Sequence, residues 1–164
     1  MWEEINRKIV DLASASSTMG HWRHLGEKIV WTNGCFDILH FGHIRYLIQA
    51  REFGDRLIVG LNSDASVRKI KGPSRPVMDE RSRALKLASF IFIDLVIIFG
   101  QETPLNAIEL LTPDILVKGG DYLSDEVVGS DWVRSHGGRV EIIPLVGGYS
   151  TSAIIDRIKK LHED

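Results

Sequence analysis

Cysteine is nearly missing from this chain of 164 residues: Cys35 is the one present. A lone thiol excludes an internal disulfide framework and fits a reducing compartment. No apolar run has bilayer length, because Ala88 to Phe99 is broken by Asp94 and a span needs about 20 apolar residues. The opening Met1-Trp2-Glu3-Glu4 lacks the basic-then-apolar pattern of a secretory signal, so a cytoplasmic location is expected. A formal charge of -2 provides no cationic excess, so neither nucleic acid nor a membrane is expected as a partner. Catalytic signatures are missing too. There is no G-x-x-x-x-G-K-[ST], no G-x-G-x-x-G and no G-x-S-x-G, which excludes the common phosphate loop, dinucleotide fingerprint and nucleophile elbow. Cys35 has no catalytic-thiol signature around it. His40 and His43 lack a third ligand at HExxH or CxxC spacing, so no metal site is expected. Internal repeats and low-complexity segments are absent as well.

What is present is a globular composition, 44% hydrophobic and 26% charged, on a length suited to one sizeable core. Ile5, Ile9, Val10 and Leu12 predict a short helix over residues 3–12. Ala13 to Thr18 reads as a break, and Thr18 as the cap of a second helix ending at Leu25. Residues 1–26 therefore form an N-terminal helical extension, followed by a domain over 27–164. From Lys28 the pattern alternates, with strands expected at Lys28–Thr32, Arg56–Leu61, Asp94–Ile98, Asp114–Lys118 and Arg139–Ile143. Helices are expected at Gly42–Phe53, Asp64–Ile70, Asp79–Phe92, from Thr103-Pro104 to Leu111, at Asp131–His136 and at Ser150–Leu161. Continuously apolar strands alternating with helices imply an α/β, Rossmann-like, doubly wound, five-stranded parallel sheet covered on both faces. Ligands bind such sheets at the carboxyl ends of the strands, near the switch point.

The polar motifs all follow strands. Thr32 and Asn33 lead into Gly34-Cys35-Phe36, whose backbone is placed to approach phosphates, and Gly42 keeps the next helix start open. His40 and His43 would face whatever that helix start holds. Asp37 is either a turn-forming residue or an active-site one. After the second strand come Asn62 and Asp64, then a basic cluster of Arg68, Lys69, Lys71 and Arg75. That cluster is either a solvated face or the positive charge an enzyme needs for anionic substrates. Lys118-Gly119-Gly120-Asp121, with Tyr122, is either a strand-end turn or a contact for a base and ribose. Ser150, Thr151 and Ser152 open the last helix, as caps or as phosphate ligands. His21-Trp22-Arg23-His24 repeats the two-histidine spacing and reads as surface or subunit packing.

The run Gly34-Cys35-Phe36-Asp37-Ile38-Leu39-His40-Phe41-Gly42-His43 resembles the G-x-F-D-x-x-H-x-G-H signature of the cytidylyltransferase-like nucleotidyltransferase superfamily. Its second signature is matched imperfectly by Tyr149-Ser150-Thr151-Ser152-Ala153-Ile154-Ile155, where Ile155 replaces a basic residue. Lys28 to Gly34, Gly60 to Ser66, Lys71 to Val77 and Val117 to Tyr122 resemble one branch, the D-glycero-β-D-manno-heptose 1-phosphate adenylyltransferases. An apolar residue at 155 is expected in that branch. Arg83 also aligns with it, whereas Arg81 replaces a glutamate.

The resemblance implies transfer of AMP from ATP, accompanied by Mg²⁺, to heptose 1-phosphate, giving ADP-heptose for lipopolysaccharide. His40, His43 and Lys71 are then the catalytic candidates, and Lys69 and Arg75 phosphate ligands. It also implies a separate heptose kinase upstream, and a homodimer is expected because two-fold assembly is commonest. Another sugar- or polyol-phosphate nucleotidyltransferase using CTP or GTP, a non-catalytic nucleotide-binding module and a metal-binding module remain as alternatives. The attacking phosphate is already an anion near neutral pH, its second pKa being about 6, so no general base is required. The histidines are therefore read as donors to the triphosphate.

Overall fold

The computed structural model describes residues 1–120 and 123–161. The chain runs α1 (Trp2–Arg7), α2 (Leu12–His24), β1 (Ile29–Gly34), α3 (Phe41–Glu52), β2 (Arg56–Asn62), α4 (Asp64–Lys71) and α5 (Glu80–Ala88). It continues through β3 (Leu95–Phe99), α6 (Leu105–Leu111), β4 (Ile115–Gly119), α7 (Ser130–Ser135), β5 (Arg139–Ile143) and α8 (Thr151–Lys160). All four strand pairings are parallel, in the order β3-β2-β1-β4-β5. The chain reverses direction across the sheet between β1 and β4, so the expected switch point lies at the end of β1.

Alternation along each strand divides the core. Val30, Leu57, Val59, Leu61, Val96, Ile115 and Val117 face α3 and α5, while Ile29, Trp31, Ile58, Leu95, Ile97 and Leu116 face α2, α6 and α7. Both sets are almost wholly buried, which is why these strands are apolar throughout. Gly60 is required by packing, since a Cβ there would lie 2.4 Å from Cζ2 of the buried Trp31. At the opposite edge of the sheet, acids satisfy amides where strands begin. Asp55 accepts from Lys28 N, Asp94 from Leu57 N and Asp114 from Ile29 N, at 2.7, 2.8 and 3.0 Å.

The N-terminal segment differs from the expectation. Residues 13–18 are helical, and the cap of α2 is Asp11, accepting from Ser14 N, not Thr18. Thr18 instead bonds back to the Ser14 carbonyl. Ala15, Met19 and Trp22 form a buried stripe against the sheet, and that burial outweighs the weak helix propensity of Ser14, Ser16 and Ser17. Between α1 and α2, Val96 N donates to Lys8 O and Val10 N to Val96 O, so the segment covers the outer edge of β3. Other bounds also move: the first helix ends at Arg7 and not at residue 12, β1 runs on to Gly34, and α5 ends at Ala88 rather than Phe92.

Candidate active site

β1 delivers Asn33, Gly34 and Cys35 to the carboxyl edge of the sheet, and the chain then turns sharply. Phe36 takes a left-handed conformation at φ 43°, uncommon for a large side chain. Its ring is buried, and a Cβ on Gly34 would lie 3.1 Å from it. The turn ends at His40, extended at the N-cap of α3 and making no side-chain cap bond. The first amides of this twelve-residue helix therefore remain available at the positive end of its dipole. Gly42 is needed because His40 folds over it: a Cβ would lie 3.2 Å from the imidazole and 3.3 Å from Tyr149 Cβ.

The rings of His40 and His43 stack, centroids 3.8 Å apart and planes 24° apart. The edge of Phe36 supports His43 at 5.5 Å. Neither Nδ1 has a hydrogen-bond partner among the described residues. Burial lowers the pKa of both. His43 falls to about 4, with His40 pressing the same way and the nearby Ile38 carbonyl opposing without a hydrogen bond of proper geometry. Near pH 7 the free site thus holds two neutral imidazoles, each able to donate one N–H. Between pH 6.5 and about 4 the unfolded chain binds a proton at residue 43 that the folded chain refuses. This contribution to stability is present above pH 6.5 and is lost as pH falls towards 4. His43→Gln is expected to flatten that part of a plot of melting temperature against pH.

Arg83, whose side chain is 0% exposed, links four segments at this edge. Nη1 donates to Cys35 O and Asn62 O at 2.6 and 2.8 Å, Nε to Met78 O at 2.9 Å, and Nη2 to Asp64 Oδ1 at 2.7 Å. Asp37 is similarly committed, its carboxylate accepting from Val77 N, Met78 N and Arg75 Nε within 2.9 Å. Burial pushes its pKa up, but the two amides and the guanidinium outweigh this and hold it below the usual range.

These elements enclose a cavity of about 690 Å³, the size of a nucleotide or drug-sized pocket. Of the residues singled out from the sequence, it is lined by Asn33, Gly34, Cys35, Phe36, Asp37, His40, Gly42, His43, Asn62, Lys71, Arg75, Lys118, Gly119, Ser150, Thr151 and Ser152. Thr32, Asp64, Lys69 and Gly120 are not in the wall. Thr32 is buried against the Tyr46 hydroxyl, which donates to Val117 O. Asp64 pairs with Arg83, Lys69 makes an exposed 3.9 Å pair with Glu102, and Gly120 N donates to Ile143 O. The expectations for Asp121 and Tyr122 lie outside the described residues. Asn62 lines the wall, but its amide donates to Ser66 Oγ. Ser150 uses its hydroxyl as acceptor for Ala153 N, capping α8.

Lys71, Arg75 and Lys118 bring three cations to the wall, which also carries the carboxylates of Asp37, Glu102 and Glu126. Burial lowers the pKa of Lys118, and the charge of Lys71 adds to this. Burial raises that of Cys35 despite the nearby cations, which keeps the thiol protonated and a poor nucleophile. Sequence reasoning did not place Tyr46, Glu102, Thr103, Glu126 or Leu145 in this wall. Thr103-Pro104 was legible only as a helix opening, and the others carried no local signal.

The sequence profile of the cytidylyltransferase-like family matches residues 31–157. The chain belongs to that family. It is 53% identical over 155 residues to the bifunctional protein HldE of Magnetococcus marinus, covering 94% of this chain and 32% of that protein. It is 57% identical over 141 residues to the bifunctional protein HldE of Syntrophotalea carbinolica, covering 86% and 29%. The chain therefore spans about a third of the length of the curated relatives it matches. The crystal structure of the lipopolysaccharide core biosynthesis protein from Thermoplasma volcanium superposes with a TM-score of 0.61 at 30% identity, over 74% of this chain and 98% of that one. A pantoate-β-alanine ligase from Francisella tularensis, at 13% identity and a TM-score of 0.54, shares the fold. The matched stretch is a nucleotidyltransferase-like domain, an enzyme fold for nucleotidyl transfer. Among the described residues no helix is long and apolar enough to cross a membrane.

Proposed function

We propose that this domain transfers AMP from ATP to D-glycero-β-D-manno-heptose 1-phosphate, releasing pyrophosphate and forming ADP-heptose. The observation that carries the reading is one cavity where the start of α3, the start of α8, two neutral histidines and three cations converge at the end of β1. Such a site suits a substrate with several phosphates. The choice of ATP and heptose is supported by the branch motifs at Gly60–Ser66, Lys71–Val77 and Val117–Tyr122. The likeness to a protein of lipopolysaccharide core biosynthesis supports it further.

In this mechanism a phosphate oxygen of the sugar attacks the α-phosphorus in line. The new P–O bond forms as the bond to the bridging oxygen of pyrophosphate breaks, and pyrophosphate leaves with the electron pair. The sugar phosphate brings its own charge, so no side chain removes a proton. His40 and His43 donate hydrogen bonds to the triphosphate, and Lys71, Arg75 and Lys118 offset its charge. Among the described residues no cluster of three or more His, Cys, Asp or Glu is placed to hold a metal. A Mg²⁺ entering with ATP would supply further positive charge to the triphosphate and would be held mainly through its phosphates, as Mg²⁺ typically is.

Incubation with heptose 1-phosphate and ATP, CTP or GTP in turn, following pyrophosphate, tests the reading. Release with ATP and a product of the mass of ADP-heptose is expected. Release only with CTP or GTP would move the chain to another nucleotidyltransferase specificity, and no release with any would overturn the assignment.

A further inference from the structure

Two loops that must act together at the cavity lie 38 to 41 residues apart in sequence and meet on one carboxylate. The side chain of Asp37 is 1% exposed, and its two oxygens take the amides of Val77 and Met78 and Nε of Arg75. The segment it grips begins at Gly72, which ends α4 with φ 95° and has open space around its Cα. Arg75 N then bonds back to Gly72 O, forming a tight turn. The segment is fixed at Val77 and Met78 by Asp37. Among the described residues Nε is the one guanidinium nitrogen of Arg75 with a protein acceptor, while Arg75 itself lies in the cavity wall. Its two terminal nitrogens are left for a ligand. A guanidinium gripped at Nε can turn only about one axis, so its fork is aimed before any ligand arrives.

We propose that Asp37 is a positioning residue: it latches the Gly72–Met78 segment onto the β1–α3 loop and aims Arg75 at the bound phosphates. The inference deepens the nucleotidyl-transfer reading and rests on it for the identity of those phosphates. A turn-forming Asp would bond to amides close by in sequence. Asp37 bonds to none of those, and spends its acceptors on a distant segment.

Hydrogen exchange on the ligand-free protein tests the latch, and calorimetry with inorganic tripolyphosphate tests the aim. In Asp37→Ala, the amides of Val77 and Met78 are expected to lose at least about tenfold protection, the scale of a hydrogen bond to a charged group. The amides of β1, β2 and β4 should keep theirs. Asp37→Asn, which retains an oxygen acceptor but not the charge, should keep part of that protection and serves if the alanine variant does not fold. Asp37→Asn and Arg75→Gln should each weaken tripolyphosphate about tenfold, with the double variant no weaker than Arg75→Gln alone. Unchanged protection at Val77 and Met78 would overturn the latch, and losses that multiply in the double variant would overturn the action through Arg75. Neither measurement uses heptose or ATP, so failure of the adenylyltransferase assay and failure of the latch are distinguishable.

Discussion

Removing either histidine of the stacked pair is expected to slow pyrophosphate release by about a hundred- to a thousandfold, the scale of losing one preorganised donor to developing charge. The role proposed for the pair is donation. The rings lie 3.8 Å apart and burial holds both pKa values down, so neither is charged in the free site near pH 7. A neutral imidazole could in principle accept a proton, but the proposed nucleophile, a phosphate oxygen, has none to give up. Substitution therefore discriminates the roles. His43→Gln and His40→Asn each keep an N–H and should retain more rate than the corresponding alanine variants. Equal losses in the amide and alanine variants would remove the donor role. The KM for heptose 1-phosphate should change less than kcat, because the donors act on the triphosphate.

The second large effect concerns stability. Arg83→Met is expected to cost about 3–5 kcal/mol, the range for deleting one partner of a buried ion pair. The apolar chain fills much of the space but leaves the carbonyls of Cys35, Asn62 and Met78 and the carboxylate of Asp64 without their donor. Domains of this size are stable by only about 5–15 kcal/mol, so the urea midpoint should fall sharply. Arg83→Lys should fall in between. Its three donors are carried on one nitrogen and cannot reach acceptors spread around a planar guanidinium. A midpoint within error of the parent for Arg83→Met would show that solvent or rearrangement replaces those bonds.

Much of this was legible without coordinates, for reasons particular to individual segments. Val30, Trp31, Ile58 and Val59 read as strand because runs buried on both faces have no polar side to show. Ser150 caps α8, one of the two roles weighed for it, while the caps of α4 and α5, Ser63 and Asp79, became evident only in the structure; each accepts from an amide three positions on. The cluster from Asn33 to His43 was recognisable because a strand, a turn and a helix start are all local structure. Residues 13–18 were not read correctly. Serine and threonine are weaker helix formers that also suit turns, and only Met19 and Trp22 meeting the sheet decided that these residues are helix.

The chain by itself determined the parallel α/β architecture, the carboxyl-edge location of the cavity, and the family signature with both histidines. These depend on periodicity, capping and motifs contained within a few turns of chain. The tertiary structure alone decided that Lys71 and Arg75 line the cavity while Lys69 is left out of the wall and pairs with Glu102. It alone decided that Asp64 serves Arg83, and that Asp37 grips a loop beyond β2. Those roles depend on where side chains point after the sheet has brought β1, β2 and α5 together. A carboxylate or guanidinium reads the same in sequence whether its partner lies in solvent, in a ligand or 48 residues away across the fold, as Cys35 does from Arg83.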